Sequence, residues 1–358
     1  MTDIDNRKQV LILLSSPFQY WCAQEYLYQA SLLHCDITVI NAATFCRHSM
    51  IQIKRLHENC SRVKEVILTI PKAGSLTSRI APYADLAKQL QHIKFDLILV
   101  GDLRQIWMQD IACSLDCENI VLVDDGAATN VFVEKLIAPA NFKLPVSMHT
   151  QCPERKQEAA NIKQALGLNI VEKSMTLFSI FTFPDDNHTR LNQLSALRAR
   201  FTHTEKNDEF HFIGSPVVEK GILGDDDYYK MIEDALRSSR ADNKPVYFAH
   251  RAEALESKKQ KLEALGFSVE LHDEPYELLC ASAGRVPAEI AGMHSTSLFN
   301  MKILFAEQIS ASCYLMDETR LAQFATQHWG SDKFTLRDHI ESIYRRLDEF
   351  NIEARLAN

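Results

Sequence analysis

The stretch QVLILLSSPFQYWCAQEYLYQASLLHCDITVIN, residues 9–41, decides the fold class. Its opening apolar run predicts a buried strand over Gln9–Ser16, and a second β-branched run predicts another over Asp36–Asn41. Between them, Pro17 suits the first turn of a helix, where a missing N–H leaves no bond unmade, and this helix is predicted to reach Ser31. A strand, a helix and a strand in this order predict a parallel pair joined by a right-handed crossover.

The same alternation fills the first third of the chain and returns after Asp208. Each part is therefore predicted to form a Rossmann-like sheet with helical crossovers. The less regular, proline-containing region between Ala138 and Lys173 predicts loops and one helix. The further predicted strands are Val63–Ile70, Phe95–Asp102, Asn119–Asp125, Met175–Phe183, Glu209–Ile213, Pro245–His250, Ser268–His272, Val286–Ala291 and Ser310–Leu315.

The chain length of 358 residues exceeds the size at which one hydrophobic core usually stops growing. We predict an α/β protein in which residues 1–185 and 208–330 form two Rossmann-like domains facing a central cleft. That outline describes the GT-B architecture, although other two-domain α/β enzymes share it. Residues 331–358 are predicted to form a C-terminal helix that packs back on the domains, because Ile340, Ile343, Tyr344 and Leu347 share one helical face.

Composition excludes several classes of protein. A formal net charge of −8 without a basic patch argues against nucleic acid as a partner. Nine cysteines, with no C-x-x-C pair and no zinc-like spacing, favour reduced thiols in a cytosolic protein. The polar N-terminus predicts no signal peptide, and no apolar run approaches the roughly 20 residues of a membrane helix. We expect a cytoplasmic protein whose membrane contact, if any, is peripheral at the inner membrane.

Two carboxylates follow a predicted strand at Asp124-Asp125-Gly126. Ligands of open parallel sheets bind outside the carboxyl ends of the strands, so side chains at these ends are candidates for a site. A carboxylate near another, or near a desolvated substrate, can have its pKa raised toward that of a general base. The alternative role, capping of the following helix, is also consistent with the sequence.

Two further strand ends carry candidates for binding phosphate. His250-Arg251 brings an imidazole and a guanidinium together, and Ser295-Thr296-Ser297 brings hydroxyls and free N–H groups to a helix start. Each pattern also has a structural explanation, because strand-end histidines are often structural and Ser and Thr are ordinary N-caps. Glycine-rich phosphate loops and a G-x-S-x-G elbow are absent, which argues against an NTPase, a nicotinamide enzyme and a serine hydrolase.

Taken together, these strand ends resemble the three short motifs of bacterial sialyltransferases: two acids plus glycine, His-Pro, and paired hydroxyls. The wider set is similar to the lipooligosaccharide sialyltransferases of glycosyltransferase family 52 and, more distantly, to the bacterial polysialyltransferases. The resemblance is densest between Phe212 and Asn300 and is carried by motifs rather than by continuous identity. Its segments are Ser15–Gln19, Asp124–Gly126, Phe212–Pro216, Tyr247–Glu253 and Ser295–Asn300.

The resemblance implies an inverting, metal-independent transfer of sialic acid, or a related nonulosonic acid, from a CMP-sugar to a glycan hydroxyl. The acceptor would be a glycan or glycolipid of lipooligosaccharide, lipopolysaccharide or capsule biosynthesis. The N-terminal domain would take the acceptor and the C-terminal domain the CMP-sugar. No cofactor and no metal are implied, because the CMP-sugar is a substrate, and the resemblance is compatible with a homodimer.

By position, the resemblance implies that Asp124 is the general base, with Asp125 as support or alternative. His250 would sit on the phosphate and assist the departure of CMP. Ser295, Thr296 and Ser297 would bind the same phosphate and Glu277 the ribose, while Ser16 and Gln19 would face donor sugar or acceptor. Gly126, Gly214, Ser215 and Arg251 complete the implied donor-binding set.

One position departs from the family pattern: Arg251 stands where the commonest motif has proline. Proline would fix the turn, whereas arginine adds a second cation at the phosphate, so the donor would be held somewhat differently. Two alternatives stay open. One is a GT-B transferase for another activated sugar, such as CMP-Kdo, CMP-legionaminate, CMP-pseudaminate or a UDP-sugar; the other is a non-catalytic nucleotide- or glycan-binding module.

Overall fold

A computed structural model describes residues 7–42, 46–58, 60–149, 152–184, 187–201, 204–240 and 245–356. It divides the chain into two α/β units. Unit 1 consists of Met1–Asn192 and His328–Thr335, and unit 2 consists of Gln193–Gln327 and Leu336–Asn358. In the part of the chain that the model describes, no helix is long and apolar enough to cross a membrane.

Unit 1 is built on a parallel sheet of seven strands in the order β3-β2-β1-β4-β5-β8-β9. Its central strand β1 is completely apolar after its first residue, because helices cover both faces of the sheet. The strands are β1 Gln9–Leu14, β2 Asp36–Asn41, β3 Val63–Ile67, β4 Leu97–Val100, β5 Ile120–Val123, β8 Thr176–Ser179 and β9 Thr189–Leu191. A small antiparallel pair, β6 Lys143–Leu144 and β7 Lys173–Ser174, lies beside it.

Two helices of unit 1, α1 and α3, begin at a serine whose side chain caps them. Helix α1 has Pro17 in its first turn, and the Ser16 hydroxyl accepts a hydrogen bond from the Gln19 N–H. A π-helical turn over Val133–Ile137 continues α5. The helices are α1 Pro17–Gln29, α2 Arg47–His57, α3 Leu76–Leu90, α4 Ile106–Ser114, α5 Ala128–Phe132 and α6 Pro153–Ala165.

Unit 2 is built on a parallel sheet of six strands in the order β13-β12-β11-β15-β16-β17. The sheet strands are β11 Phe210–Ile213, β12 Val246–Phe248, β13 Ser268–Glu270, β15 Glu289–Gly292, β16 Ser310–Leu315 and β17 Glu353–Leu356, and β10 Glu205–Lys206 pairs separately with β14 Arg285–Val286. The helices are α7 Ser195–Arg198, α8 Asp225–Ser238, α9 Leu255–Ala264, α10 Tyr276–Ala283, α11 Thr296–Phe305, α12 Glu318–Gln323 and α13 Leu336–Tyr344.

Both sheets begin in the doubly wound order 3-2-1-4-5, counted within each sheet. The order reverses between β1 and β4 in unit 1 and between β11 and β15 in unit 2, and such reversals open a crevice for ligands at the carboxyl edge. The predicted α/β class with two Rossmann-like sheets is confirmed. Strands β1, β4, β5 and β12 end two residues earlier than predicted, whereas β11 ends at the predicted residue and β15 ends one residue later. The candidate side chains therefore lie in the turns beyond the strands.

The C-terminal region differs from the prediction of a single helix over 331–358. Helix α13 ends at Tyr344, a 3-10 turn covers Asp348–Phe350, and β17 then pairs in parallel with β16 at the edge of the sheet. Strand β17 has four residues with mostly exposed side chains and no apolar run, so no sequence pattern predicts it. The stretch His328–Thr335 belongs to unit 1 and thus separates the two parts of unit 2.

Candidate active site

Asp124 follows β5 and is completely buried, with 0% of its surface exposed. The Ile180 N–H donates to its Oδ2 at 2.7 Å, while its Oδ1 has no hydrogen-bond partner among the described residues. Burial raises the pKa of the Asp124 carboxyl from 3.8 to about 7, although hydrogen bonding from Ser179, Ile180 and Thr129 opposes the shift. A carboxyl that ionises near neutral pH has the acidity that a general base needs.

Asp125, the next residue, is held in an ionic network. The Gln19 amide donates to its Oδ1 at 2.7 Å, and the Arg104 guanidinium forms an ion pair with its Oδ2. Arg104 Nε also lies 3.0 Å from Asp102 Oδ1. Desolvation lowers the pKa of Arg104, but the two carboxylates outweigh this and raise it above its ordinary value. Arg104 therefore fixes Asp125 as a charged, oriented neighbour of Asp124.

Arg104 is a site residue that the sequence reasoning missed. Its guanidinium carbon lies 4.6 Å from the ring centroid of Trp329 and 5.3 Å from that of Phe132, so it is stacked as well as ion-paired. Asp102 and Arg104 follow β4, which borders the reversal point of unit 1. The rule of searching beyond strand ends, applied to β4, would have selected both residues.

The side chains of Ser16 and Gln19, predicted to face a sugar, form hydrogen bonds to other residues of unit 1. The Ser16 hydroxyl caps α1, and the Gln19 side chain is 1% exposed, donating to Asp125 and accepting from the Ser15 N–H at 2.7 Å. Gln19 thus positions Asp125. A Cβ added to Gly101 would lie 2.5 Å from Gln19 Oε1, so only glycine at the end of β4 leaves room for this amide. Gly126, with φ +69°, forms the turn after the two acids.

In unit 2, His250 lies in the turn after β12 and its imidazole is neutral. Desolvation, together with the charges of Arg251, Lys220 and Lys258, lowers the pKa of His250 to about 3. The Ala252 N–H donates to its Nδ1 at 3.1 Å, so Nδ1 is the acceptor and the proton of the neutral ring is on Nε2. His250 therefore offers an Nε2–H donor beside cations. The role predicted from the sequence, as an acid or cation, would require a bound anion to raise the pKa of His250.

A buried network holds the His250 turn in place. Glu253 Oε2 accepts from the His250 backbone N–H at 2.6 Å, and Glu253 Oε1 accepts from Lys258 Nζ at 2.8 Å and from the Tyr247 hydroxyl at 2.7 Å. Lys258, with a side chain 4% exposed, also pairs with Glu219 at 2.8 Å. None of the charged groups in this network is left unpaired.

Gly214, predicted to bind the donor, is required by this network. A Cβ at Gly214 would lie 2.2 Å from Glu253 Oε2, 2.7 Å from the Tyr247 hydroxyl and 2.9 Å from the Phe248 carbonyl oxygen. The end of β11 can therefore approach the His250 turn only through a glycine. The neighbouring Ser215 is buried, and its N–H donates to the Tyr228 hydroxyl at 3.3 Å.

The predicted hydroxyls lie at the N-terminus of α11. Ser295 is the N-cap and accepts from the Ser297 N–H at 3.3 Å, and Thr296 is the first helical residue. Glu277, 3% exposed, accepts from Asn300 Nδ2 at 2.7 Å. Burial raises the pKa of Glu277, while hydrogen bonding from Asn300 and Ser297 lowers it. The helix start and the Glu277 carboxyl are thus neighbours, as a site for phosphate and ribose requires.

His294 is a second residue that the sequence reasoning left without a role. It follows β15, across the reversal point from β11, and its buried Nδ1 has no hydrogen-bond partner among the described residues. Desolvation and then Lys220 lower the pKa of His294 to about 4. Lys220 acts on both His250 and His294, so the two rings share one positive environment.

The candidate residues therefore form two groups, one at the carboxyl edge of each sheet. Asp124, Asp125 and Gly126 are in unit 1, and the remaining predicted donor-binding residues are in unit 2. Among the described residues, no group of three or more His, Cys, Asp or Glu side chains is arranged to hold a metal ion.

No protein-family model and no curated protein matches this chain. Solved structures similar to it include Acinetobacter baumannii MurG, at 11% identity over 98% of this chain and 86% of that chain, with a TM-score of 0.46. Escherichia coli ADP-heptose LPS heptosyltransferase II is similar at 13% identity over 87% of this chain and 86% of that chain, with a TM-score of 0.40. UDP-GlcNAc 2-epimerase from Methanocaldococcus jannaschii is similar at 12% identity over 95% of this chain and 92% of that chain, with a TM-score of 0.46. All three TM-scores are below 0.5, so these similarities carry no argument, and the α/β fold is assigned from the strand order of this chain.

Proposed function

We propose that this chain is an inverting glycosyltransferase of GT-B type that moves sialic acid, or a related nonulosonic acid, from its CMP-linked form to a glycan hydroxyl without a metal ion. The donor class comes from the motifs that resemble bacterial sialyltransferases. The proposal assigns donor binding to unit 2 and acceptor activation to unit 1. The acceptor is a glycan of lipooligosaccharide, lipopolysaccharide or capsule, met by a cytoplasmic enzyme in peripheral contact with the membrane.

The observation that carries the proposal is the buried carboxyl of Asp124, whose pKa is raised to about 7. Its unpartnered Oδ1 is the atom that we propose accepts the acceptor proton. Because Asp124 is 0% exposed, a local opening must admit the acceptor hydroxyl to Oδ1. Asp125, with a side chain 13% exposed and paired with Arg104, supplies the fixed negative charge beside it.

The donor side uses positive charge and N–H groups. The α-phosphate of the CMP-sugar would receive the His250 Nε2–H and the N–H groups and hydroxyls at the start of α11, with Arg251 and Lys220 adding charge. Glu277 would accept from the ribose hydroxyls. This set replaces the cation that a metal would otherwise provide at the leaving group.

In the proposed step, the acceptor oxygen attacks the anomeric carbon of the nonulosonic acid as its proton passes to Asp124 Oδ1. The bond from that carbon to the phosphate oxygen breaks, and CMP leaves with the electron pair. The new negative charge on the phosphate is stabilised by His250 Nε2–H, Arg251 and the α11 N-terminus. Attack opposite to the leaving group inverts the anomeric configuration.

The test is release of CMP from CMP-N-acetylneuraminic acid in EDTA, with lactose or lipooligosaccharide as acceptor. Asp124→Asn should lower acceptor-stimulated release by roughly 10²- to 10⁴-fold while CMP affinity stays unchanged. His250→Ala should weaken CMP binding as well as release. The exposed residues Asp116 and His34 provide matched controls, Asp116→Asn and His34→Ala, which should behave as the wild type.

Each contrary outcome has a defined meaning. If the wild type neither releases CMP nor binds it, the sialyltransferase proposal fails. A bound nucleotide raises the thermal stability of the native state by mass action. If UDP raised it more than CMP did, the donor would be another activated sugar. CMP binding without release under any acceptor would identify a non-catalytic module. If Asp125→Asn, and not Asp124→Asn, abolished release, the base would be Asp125.

A further inference from the structure

Unit 1 contains a cavity of about 1030 Å³, and Arg104, which is ion-paired with Asp125, is one of its lining residues. Its walls come from α3, α4, α6 and the segment Pro145–His149. No residue of α6 is buried, although all of this helix is described. Helix α6 borders the cavity, and its Ile162 is partly buried against the core of unit 1. The volume is at the upper end of the roughly 300–1,000 Å³ of small-molecule pockets.

The inner wall of the cavity is apolar. Ile80, Trp107 and Met148 line it, each at most 3% exposed over its whole surface, and Ile106 lines it while 36% exposed. An exposed isoleucine beside such a wall is apolar surface that a ligand could cover.

The charge of the cavity is opposite to that of the protein. Among its described lining residues, five are basic and one is acidic, a formal charge of +4 in a chain of −8. The basic residues are Lys72, Arg79, Arg104, Lys156 and Lys163, and the acid is Asp110.

The negative charge of Asp110 is neutralised by an ion pair with Lys163, and its second oxygen accepts a hydrogen bond from Tyr83. Lys163 Nζ lies 2.7 Å from Asp110 Oδ1, and the Tyr83 hydroxyl donates to Oδ2 at 2.8 Å. Arg104 is paired with Asp102 and Asp125. Arg79 and Lys156 are exposed, and neither forms an ion pair with an acidic side chain in the described ranges. Two cations thus stand unneutralised beside an apolar wall.

We propose that this cavity binds an anionic amphiphile, with its phosphate or carboxylate at Arg79 and Lys156 and its apolar body against Ile80, Trp107 and Met148. Lys72 adds positive charge at the same rim. The inference does not rest on the proposed transferase activity, because it is argued only from the walls and charges of the cavity.

The probe is n-octyl phosphate, titrated below its micellar concentration into the whole chain and followed by calorimetry and by tryptophan emission, to which Trp107 in the cavity wall contributes. The uncharged n-octyl glucoside has the same alkyl chain and measures the contribution of the apolar body to binding. Inorganic phosphate measures the contribution of the anion. We expect n-octyl phosphate to bind at least about tenfold more tightly than either. Added salt should weaken it, because the exposed cations are screened.

Two variants separate charge from volume. The double variant Arg79→Gln, Lys156→Gln should lose about tenfold or more in affinity for n-octyl phosphate, against a matched control of Lys54→Gln with Lys94→Gln, both exposed in unit 1. Ala160→Phe, at an exposed position of α6 that lines the cavity, should weaken binding without a change of charge.

Several results would overturn the inference. These are equal affinity for n-octyl glucoside, equal affinity for inorganic phosphate, unchanged affinity of the Arg79, Lys156 double variant, and no binding of n-octyl phosphate at all. Urea unfolding of each variant is followed by tryptophan emission. A curve like that of the wild type excludes misfolding as the cause of a loss of affinity.

Discussion

Replacing Asp124 by asparagine should stabilise unit 1, and increasingly so as the pH rises. Burial raises the pKa of Asp124 from 3.8 to about 7. Between these values the unfolded chain has lost the proton that the folded chain still holds, so the free energy of unfolding falls with pH. The fall is about 1.4 kcal/mol per pH unit, and it ends above pH 7, where both states are ionised.

The magnitude follows from the two pKa values. Ionisation of Asp124 destabilises the folded wild type by roughly 2 kcal/mol at pH 5 and by roughly 4 kcal/mol at pH 8. Asparagine has the shape of the protonated acid and does not titrate. The stability of Asp124→Asn relative to the wild type should therefore rise by roughly 2 kcal/mol from pH 5 to pH 8.

Urea unfolding followed by tryptophan fluorescence measures this difference, because Trp21, Trp107 and Trp329 are the only tryptophans and all lie in unit 1. With a slope of roughly 2 kcal/mol per M, the midpoint should shift by roughly 1 M more at pH 8 than at pH 5. Asp116→Asn, at an exposed site, should show no such pH dependence. An Asp124→Asn effect that is equal at both pH values would refute the raised pKa.

Three further predictions concern the neighbours of the two carboxyl edges. Gly214→Ala should weaken CMP binding at least about tenfold, because its Cβ would clash with Glu253, whereas Gly224→Ala, whose nearest neighbouring atom would be 3.6 Å away, should not; calorimetry measures both. Nitrogen NMR of the free protein should find the His250 ring neutral, with its proton on Nε2, down to about pH 4; a charged ring at pH 6 would contradict its assigned environment. Arg104→Gln should destabilise unit 1 by about 3 kcal/mol in urea, because two carboxylates lose their partner, while CMP affinity in unit 2 stays unchanged. Loss of CMP affinity in this variant would show that Arg104 serves the donor instead.

The buried strands were predictable because their pattern is local. The apolar runs at Gln9 and Asp36 needed no knowledge of their neighbours, and the strands begin at those residues. Strand ends are not local, since pairing stops where the adjacent strand stops; β4 covers Leu97–Val100 inside the predicted Phe95–Asp102. The edge strand β17 was missed because an exposed edge needs no apolar run.

The candidate site was predictable in part for a topological reason. In a parallel sheet the carboxyl ends share one edge, so Asp124, His250 and Ser295 could be selected from the ends of predicted strands. Arg104, just beyond β4, could have been selected by the same rule, but its partner Asp125, 21 residues away, could not be foreseen. Lys258 lies within α9 and could not be selected, because its importance lies in its ion pair with Glu219, 39 residues away. Gln19 was selected, but its partner Asp125, 106 residues away, could not be foreseen.

By itself, the sequence determined the fold class, the order of the buried strands, and the residue types that follow those strands, because apolar periodicity and chain order are properties of short segments. Only the tertiary structure decided the protonation of Asp124 and His250, with pKa values of about 7 and about 3. Desolvation causes both shifts, and it depends on every atom packed around the group, most of which are distant in the chain.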